Sequence, residues 1–191
     1  LMLEGMPNYR SGVDGLRVSN STKGGITFAA STTQNGIHMI TVVLGVEAVD
    51  GDPYARFVAT SSLMNYVVRT FISSIVVKEG DPYGKSKASV MDGKSESVLA
   101  VAKKDFYIVE KQGSQAEPKI QFKSTQESFK APVKSGTTLG KLHYTDPDKI
   151  GRGYLEDQEP TVDMVAGRTI EKSFFLKVWW NEFVRYVNEK L

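Results

Sequence analysis

Apolar and polar positions divide the chain into three textures. The first runs to about Ile75. Val13-Asp14-Gly15-Leu16 leads into a short extended stretch that Gly24-Gly25 ends, and Ile26-Thr27-Phe28-Ala29-Ala30-Ser31-Thr32 alternates with the period of a strand. Gln34-Asn35-Gly36 predicts a tight turn, because Asn and Gly accept positive φ. Ile37 to Leu44 is nearly all apolar after His38 and reads as a second strand, buried on both faces. Asp52-Pro53 predicts a helix N-cap with proline at the first helical position, and Phe57, Met64, Val67, Val68 and Phe71 then recur at helical spacing. The expected product is a strand hairpin with a helix packed on it.

From about Val76 to Gly167 the texture changes. Short alternating runs such as Ser97-Val98-Leu99-Ala100-Val101 and Phe106-Tyr107-Ile108-Val109 sit between turn clusters. The clusters include Asp92-Gly93, Gln112-Gly113-Ser114, Ser135-Gly136 and Asp146-Pro147-Asp148, a spacing that predicts a small antiparallel sandwich. The last texture, Thr169 to Leu191, contains neither Gly nor Pro. At about 100° per residue, Phe175, Leu176, Trp179, Trp180, Phe183, Val184, Tyr186, Val187 and Leu191 share half of a helix circumference. Glu171, Lys177, Asn181, Glu182, Arg185, Asn188 and Glu189 gather opposite, while Ile170, Phe174 and Val178 intrude on that polar side.

Composition changes this picture little. Of 191 residues 40% are hydrophobic, enough for a folded core. The formal net charge of +2, with no Arg/Lys run interleaved with aromatics, argues against nucleic acid as a partner. Cysteine is absent, which removes disulfides, thiolate nucleophiles and zinc sites of the CxxC kind. No apolar run approaches the roughly 20 residues that span a bilayer. Leu1-Met2-Leu3-Glu4-Gly5 reads as the interior of a longer sequence, without a signal peptide.

The chemistry lies in Val13-Asp14-Gly15-Leu16-Arg17-Val18-Ser19-Asn20-Ser21. This stretch resembles the Val-Asp-Gly-Leu-Lys-Thr-Gly-Thr-Thr run of low-molecular-mass penicillin-binding proteins, the serine D-alanyl-D-alanine carboxypeptidases. The resemblance continues through Lys23, Gly25 and Phe28, Thr41-Val42-Val43-Leu44, Pro53-Tyr54-Ala55-Arg56-Phe57 and Ala59-Thr60-Ser61-Ser62-Leu63-Met64. It returns at Ile170-Glu171-Lys172 and Phe174-Phe175-Leu176-Lys177-Val178-Trp179-Trp180, which look like the terminal anchor of the Gram-positive members.

The family resemblance implies three motifs: Ser-x-x-Lys for the nucleophile and its base, Ser/Tyr-x-Asn as a proton relay, and Lys-Thr-Gly on an inner strand. Here no serine is followed three residues later by lysine, so no catalytic residue is assigned. The Lys-Thr-Gly positions read Arg17-Val18-Ser19. Arg17 keeps the charge without the compact ammonium, Val18 has no hydroxyl, and Ser19 fills space that the family leaves open. Asn20 retains a backbone N–H for an oxyanion hole. Arg17, Val18, Ser19 and Asn20 are therefore expected to be a remnant of the substrate strand. Lys134-Ser135-Gly136 matches the third motif literally but falls among sandwich strands, where a polar turn is expected. Tyr186-Val187-Asn188 fits the relay pattern but sits on the terminal helix. His38 and His143 have no acidic residue or third ligand at metal-binding spacing and read as ordinary structural or surface residues, so neither metal nor cofactor is expected.

Together these readings predict an α+β protein. Residues 1–75 form a partial carboxypeptidase domain of the transpeptidase-like kind, 76–167 a β-sandwich accessory domain and 168–191 an amphipathic anchor helix. In the anchor, Phe175, Leu176, Trp179, Trp180, Phe183, Tyr186 and Val187 would meet a membrane surface while Lys172 and Lys190 snorkel at its ends. The function implied is that of a fragment or degenerate member of the family in peptidoglycan maturation, inactive alone. The alternative is a non-enzymatic membrane-associated spacer or peptidoglycan-binding module. Expected partners are a membrane surface, a peptidoglycan stem peptide, and either a missing N-terminal half or a second copy of the chain. The expected location is the extracellular face of a Gram-positive cytoplasmic membrane.

Overall fold

Three strands and one helix form from the first texture: β1 (Arg17–Ser21), β2 (Gly25–Gln34), β3 (Ile37–Val46) and α1 (Ala55–Thr70). The computed structural model describes residues 1–21, 24–46, 52, 54–146, 148–151, 153–154 and 158–190. The chain divides into two compact units, Leu1–Ser74 with Val109–Ser114, and Ile75–Ile108 with Gln115–Leu191. In the first, β1, β2 and β3 make an antiparallel sheet in that order. Asn35 and Gly36 both take positive φ (52° and 74°), so the backbone reverses between Gln34 and Ile37, which pair directly. One face of the sheet packs on α1. Phe28, Ala30, Ile37, Met39 and Met64 are buried there, with Phe57, Val67, Val68 and Phe71 packed around them. Phe28 meets Phe57 edge-on, with 5.1 Å between ring centroids.

Two expectations for this unit need correction. The strand from Ile37 to Leu44 is buried on one face only. Ile37, Met39 and Thr41 are buried, whereas Ile40, Val42 and Leu44 are 60%, 56% and 74% exposed. An apolar run suits a strand covered twice, and α1 covers one side. The helix also starts later than Asp52-Pro53 suggests. Its N-cap is Tyr54, which makes no side-chain cap hydrogen bond, and the Asp52 carboxylate accepts the Tyr54 N–H at 2.8 Å in a local turn. Pro53, like Lys23, lies outside the described residues. At the far end Phe71 is already extended (φ −122°, ψ 148°) and opens the next strand.

The strands that follow are β4 (Phe71–Val77), β5 (Pro82–Met91), β6 (Ser97–Ala102), β7 (Phe106–Lys111), β8 (Lys119–Ser124), β9 (Ser128–Lys130), β10 (Thr138–Thr145) and β11 (Thr161–Ala166). The chain ends in α2 (Phe175–Lys190). Six strands join in the order β8-β10-β11-β6-β5-β9, and β4 pairs with β7. All described pairings in the six-stranded sheet are antiparallel except β5–β9. Val77, Phe106 and Ile108 bury against Val98, Ala100, Leu142, Tyr144, Val162 and Met164, so two layers enclose one core. The protein is mostly β, with a sandwich as its larger unit.

Strand alternation leaves the intervening residues pointing away from that core. Gly140 has no side chain for a spatial reason. A Cβ there would collide with the Lys123 carbonyl oxygen and come within 2.8 Å of the Ser124 Cα on the paired strand β8.

Candidate functional site

The approach to β1 is fixed by hydrogen bonds onto β2. Asp14 donates its backbone N–H to the Ser31 carbonyl at 3.1 Å, and its carboxylate accepts the Ser31 hydroxyl at 2.6 Å. The Ser31 hydroxyl bond is the largest cause of a lowered Asp14 pKa; a backbone hydrogen bond adds to it, and His38 contributes a smaller favourable field. Leu16 N–H donates to the Ala29 carbonyl at 3.1 Å, and the Thr32 hydroxyl donates to the Gly12 carbonyl at 2.7 Å. Gly15, at φ 45°, makes the bend between these contacts.

Beyond the bend, Arg17 pairs with Ala29, Val18 with Phe28, Ser19 with Thr27 and Asn20 with Ile26. All four side chains of the remnant are exposed. β1 is an edge strand, and among the described residues no strand pairs its outer side. Val18 shares the face of Phe28, toward α1, while Arg17 and Ser19 share the opposite face. On that opposite face Ala29 pairs with Val42 and Ser31 with Ile40, so Arg17 shares a face with the exposed row of Ile40, Val42 and Leu44, from which β2 separates it. This edge offers backbone donors and acceptors, a guanidinium and small polar groups. It can hold an extended peptide by its main chain.

The residues expected to form the anchor stand together on α2. Leu176, Trp179, Trp180, Phe183 and Tyr186 are each about half exposed or more, and Val187 is half-buried. None of the described side chains of this helix is buried. Phe183 stacks at 6.0 Å on Trp179 and lies 6.0 Å from Trp180, so the three rings form one exposed aromatic plate. Lys172 precedes the helix and is exposed. The side chains of Phe175 and Lys190 lie outside the described residues, and no helix among the described residues is long and apolar enough to cross a membrane.

The Lys134-Ser135-Gly136 match lies in the turn before β10. Ser135 N–H donates to the Thr169 hydroxyl at 3.0 Å and Gly136 N–H to the Ala166 carbonyl at 2.8 Å, so its polar groups serve the sandwich. Tyr186 is exposed on α2. His38 is exposed on β3 opposite Thr33. His143 is half-buried on β10, where burial lowers its pKa; Lys123 and Lys141 push the same way, and Glu159 opposes them.

Residues 71–172 match the family of the penicillin-binding protein 5 C-terminal domain, more than half of the chain. The chain belongs to this family. It is 28% identical over 133 residues to the D-alanyl-D-alanine carboxypeptidase DacA of Haemophilus influenzae, an overlap of 69% of this chain and 32% of that protein. Among solved structures it is similar to a peptidoglycan synthesis regulatory factor, PBP3, from Streptococcus pneumoniae. The TM-score there is 0.81 and the identity 45%, covering 89% of this chain and 46% of that one. It shares its fold with penicillin-binding protein 5 from Haemophilus influenzae at a TM-score of 0.59 and 23% identity, covering 84% and 43% of the two chains. The chain thus spans less than half the length of each of these relatives.

One group of surface residues escapes the sequence reading: Lys103, Lys123 and Lys141, brought into one row by strand pairing. The only signal along the chain is alternation, Lys119-x-Gln121-x-Lys123 and Lys141-x-His143, which marks an outward face but not its neighbours.

Proposed function

We propose that this chain is a membrane-surface module of the D-alanyl-D-alanine carboxypeptidase family, located in the cell envelope of a Gram-positive bacterium and serving peptidoglycan maturation without catalysing it alone. Family membership gives the setting, and the absence of any Ser-x-x-Lys carries the claim of inactivity. Removing an activated nucleophile costs many orders of magnitude in rate. What β1 keeps is an edge that no strand among the described residues pairs, with Arg17, Ser19 and Asn20, suited to aligning a stem peptide against β1 when another polypeptide supplies the serine and lysine. β1–β3 with α1 are read as the remnant of a transpeptidase-like domain, and Ile40, Val42 and Leu44 as the face that a second polypeptide covers. Incubation with a fluorescent penicillin, followed by denaturing electrophoresis, is expected to leave this chain unlabelled. A covalent adduct, or D-alanine released from a pentapeptide by the purified chain, overturns the reading.

The aromatic plate on α2 supports the attachment half of the proposal. Trp and Tyr rings favour the headgroup level of a bilayer, and Lys172 stands before the helix as a cation for anionic lipid. With α2 as anchor, the sandwich acts as a spacer. Vesicle co-sedimentation is expected for the full chain and lost for a chain ending at Ser173, which keeps Ile170 in the sandwich core. Equal sedimentation of both defeats the anchor.

A further inference from the structure

The tip of the β2–β3 hairpin carries a reactive pair that neither the anchor nor the β1 edge uses. Gln34 pairs directly with Ile37, so Asn35 and Gly36 alone reverse the chain. Both are exposed, and both hold positive φ. The turn selects these two residue types. At position 36 a Cβ would stand 3.3 Å from the Ser73 Cβ and 3.4 Å from its hydroxyl oxygen, on a backbone that L side chains rarely adopt. At position 35 asparagine is among the few residues with a side chain that accept the left-handed region readily. The geometry of the hairpin therefore demands an Asn-Gly step.

The same two choices set a side-chain amide beside a backbone nitrogen that no side chain shields. A two-residue turn leaves the N–H of its second residue outside the ladder of the strands. The Gly36 nitrogen can then attack the Asn35 Cγ. A bond forms between that nitrogen and Cγ, the bond from Cγ to Nδ2 breaks, and ammonia leaves with the proton that Gly36 carried. Water opens the resulting succinimide at either carbonyl. Attack at Cγ gives aspartate on an unchanged backbone. Attack at the main-chain carbon gives isoaspartate, whose backbone runs through Cβ and Cγ. The sum is amide plus water to carboxylic acid plus ammonia, with nothing oxidised or reduced.

No other asparagine of the chain precedes glycine. Asn8 stands before Tyr9, whose N–H donates to the Met6 carbonyl at 3.0 Å. Asn20 is paired with Ile26 in β1, and Asn65 lies within α1, where its Oδ1 accepts the Arg10 guanidinium at 2.7 Å. Asn181 and Asn188 lie within α2, each before a glutamate. The consequence of modification is also local to the hairpin. Isoaspartate adds one atom to the main chain of a turn that has two residues, and the register that starts at Gln34 and Ile37 puts Ile37 and Met39 beneath α1. We propose that Asn35–Gly36 is a site of spontaneous modification, converting through a succinimide to isoaspartate and aspartate, and that the isoaspartate form loosens the hairpin from its tip.

The test is ageing of the full chain in mildly alkaline buffer at physiological temperature, followed by peptide mapping that separates aspartate from isoaspartate. Asn35 is expected to lose its amide, with ammonia released in step, while the other asparagines keep theirs. Asn35→Gly retains a residue at ease with positive φ and has no amide to lose, so it should release no ammonia. Melting followed by circular dichroism reads the consequence. The aged parent should melt below the fresh one, and aged Asn35→Gly should melt like fresh Asn35→Gly. Fresh Asn35→Asp, which carries the new charge on a normal backbone, should melt close to the fresh parent. An amide kept at Asn35, or lost no faster than at Asn20, overturns the site. Loss in urea but not in buffer means that the folded turn holds the nitrogen away from Cγ, and overturns it too. Conversion to isoaspartate without any fall in melting temperature, or a fall that fresh Asn35→Asp reproduces in full, overturns the loosening.

Discussion

Gly140 shows how much one hydrogen atom in place of a methyl group matters. Backbone atoms of Lys123 and Ser124 occupy the space a Cβ needs, and backbone cannot swing aside as a side chain does. Gly140→Ala is expected to destabilise the sandwich by about 1–3 kcal/mol, read from denaturant unfolding, by forcing β8 away from β10. Asp14 works through charge instead. Its folded pKa lies below the ordinary 3.8, so its carboxylate contributes stability above that value and loses it as pH falls through the lowered one. Asp14→Asn should therefore melt at a lower temperature than the parent at neutral pH, and the gap should close once the solution is acid enough to protonate Asp14. A gap that persists unchanged into strong acid would mean the carboxylate charge plays no part.

At the scale of elements, the sequence discloses what is local and hides what is paired. Asn35-Gly36 announces its turn because positive φ is a property of those two residues, and Phe57, Met64, Val67 and Val68 announce α1 because their spacing alone makes a stripe. The start of α1 misleads because Asp52 turns onto Tyr54 rather than capping the helix. β3 misleads because the second cover its apolar run implies is not supplied by α1. The parallel pairing of β9 with β5 and the row joining Lys123, Lys141 and Lys103 depend on register between distant segments, which no window of sequence contains. The row has a local signature that can be measured. Burial is the main cause of the lowered His143 pKa, and Lys123 and Lys141 add to it, so Lys123→Gln should raise it in an NMR titration, with Glu159 left to favour the protonated ring. No movement of that pKa would place the lysine head too far from the imidazole to act on it.

At the scale of the molecule, the two units pose different demands on solubility. Ile40, Val42 and Leu44 expose an apolar strip on the first, along β3 at the opposite side of the sheet from β1. The purified chain is expected to associate with rising concentration in light scattering, and Val42→Lys to reduce that association without lowering the melting temperature. Parent and variant that both remain monomeric would show that the strip needs no cover. The second unit answers a mechanical question through the segment before α2. Lys94 N–H to the Glu171 carbonyl, Ser173 N–H to the Asp92 carbonyl, and the reciprocal pair between Val133 and Ile170 stitch that segment to the sandwich, and the Ile170 side chain is buried beneath it. A pull on the chain from the α2 side meets these four bonds before the segment from Ile170 to Ser173 can peel away from the sandwich.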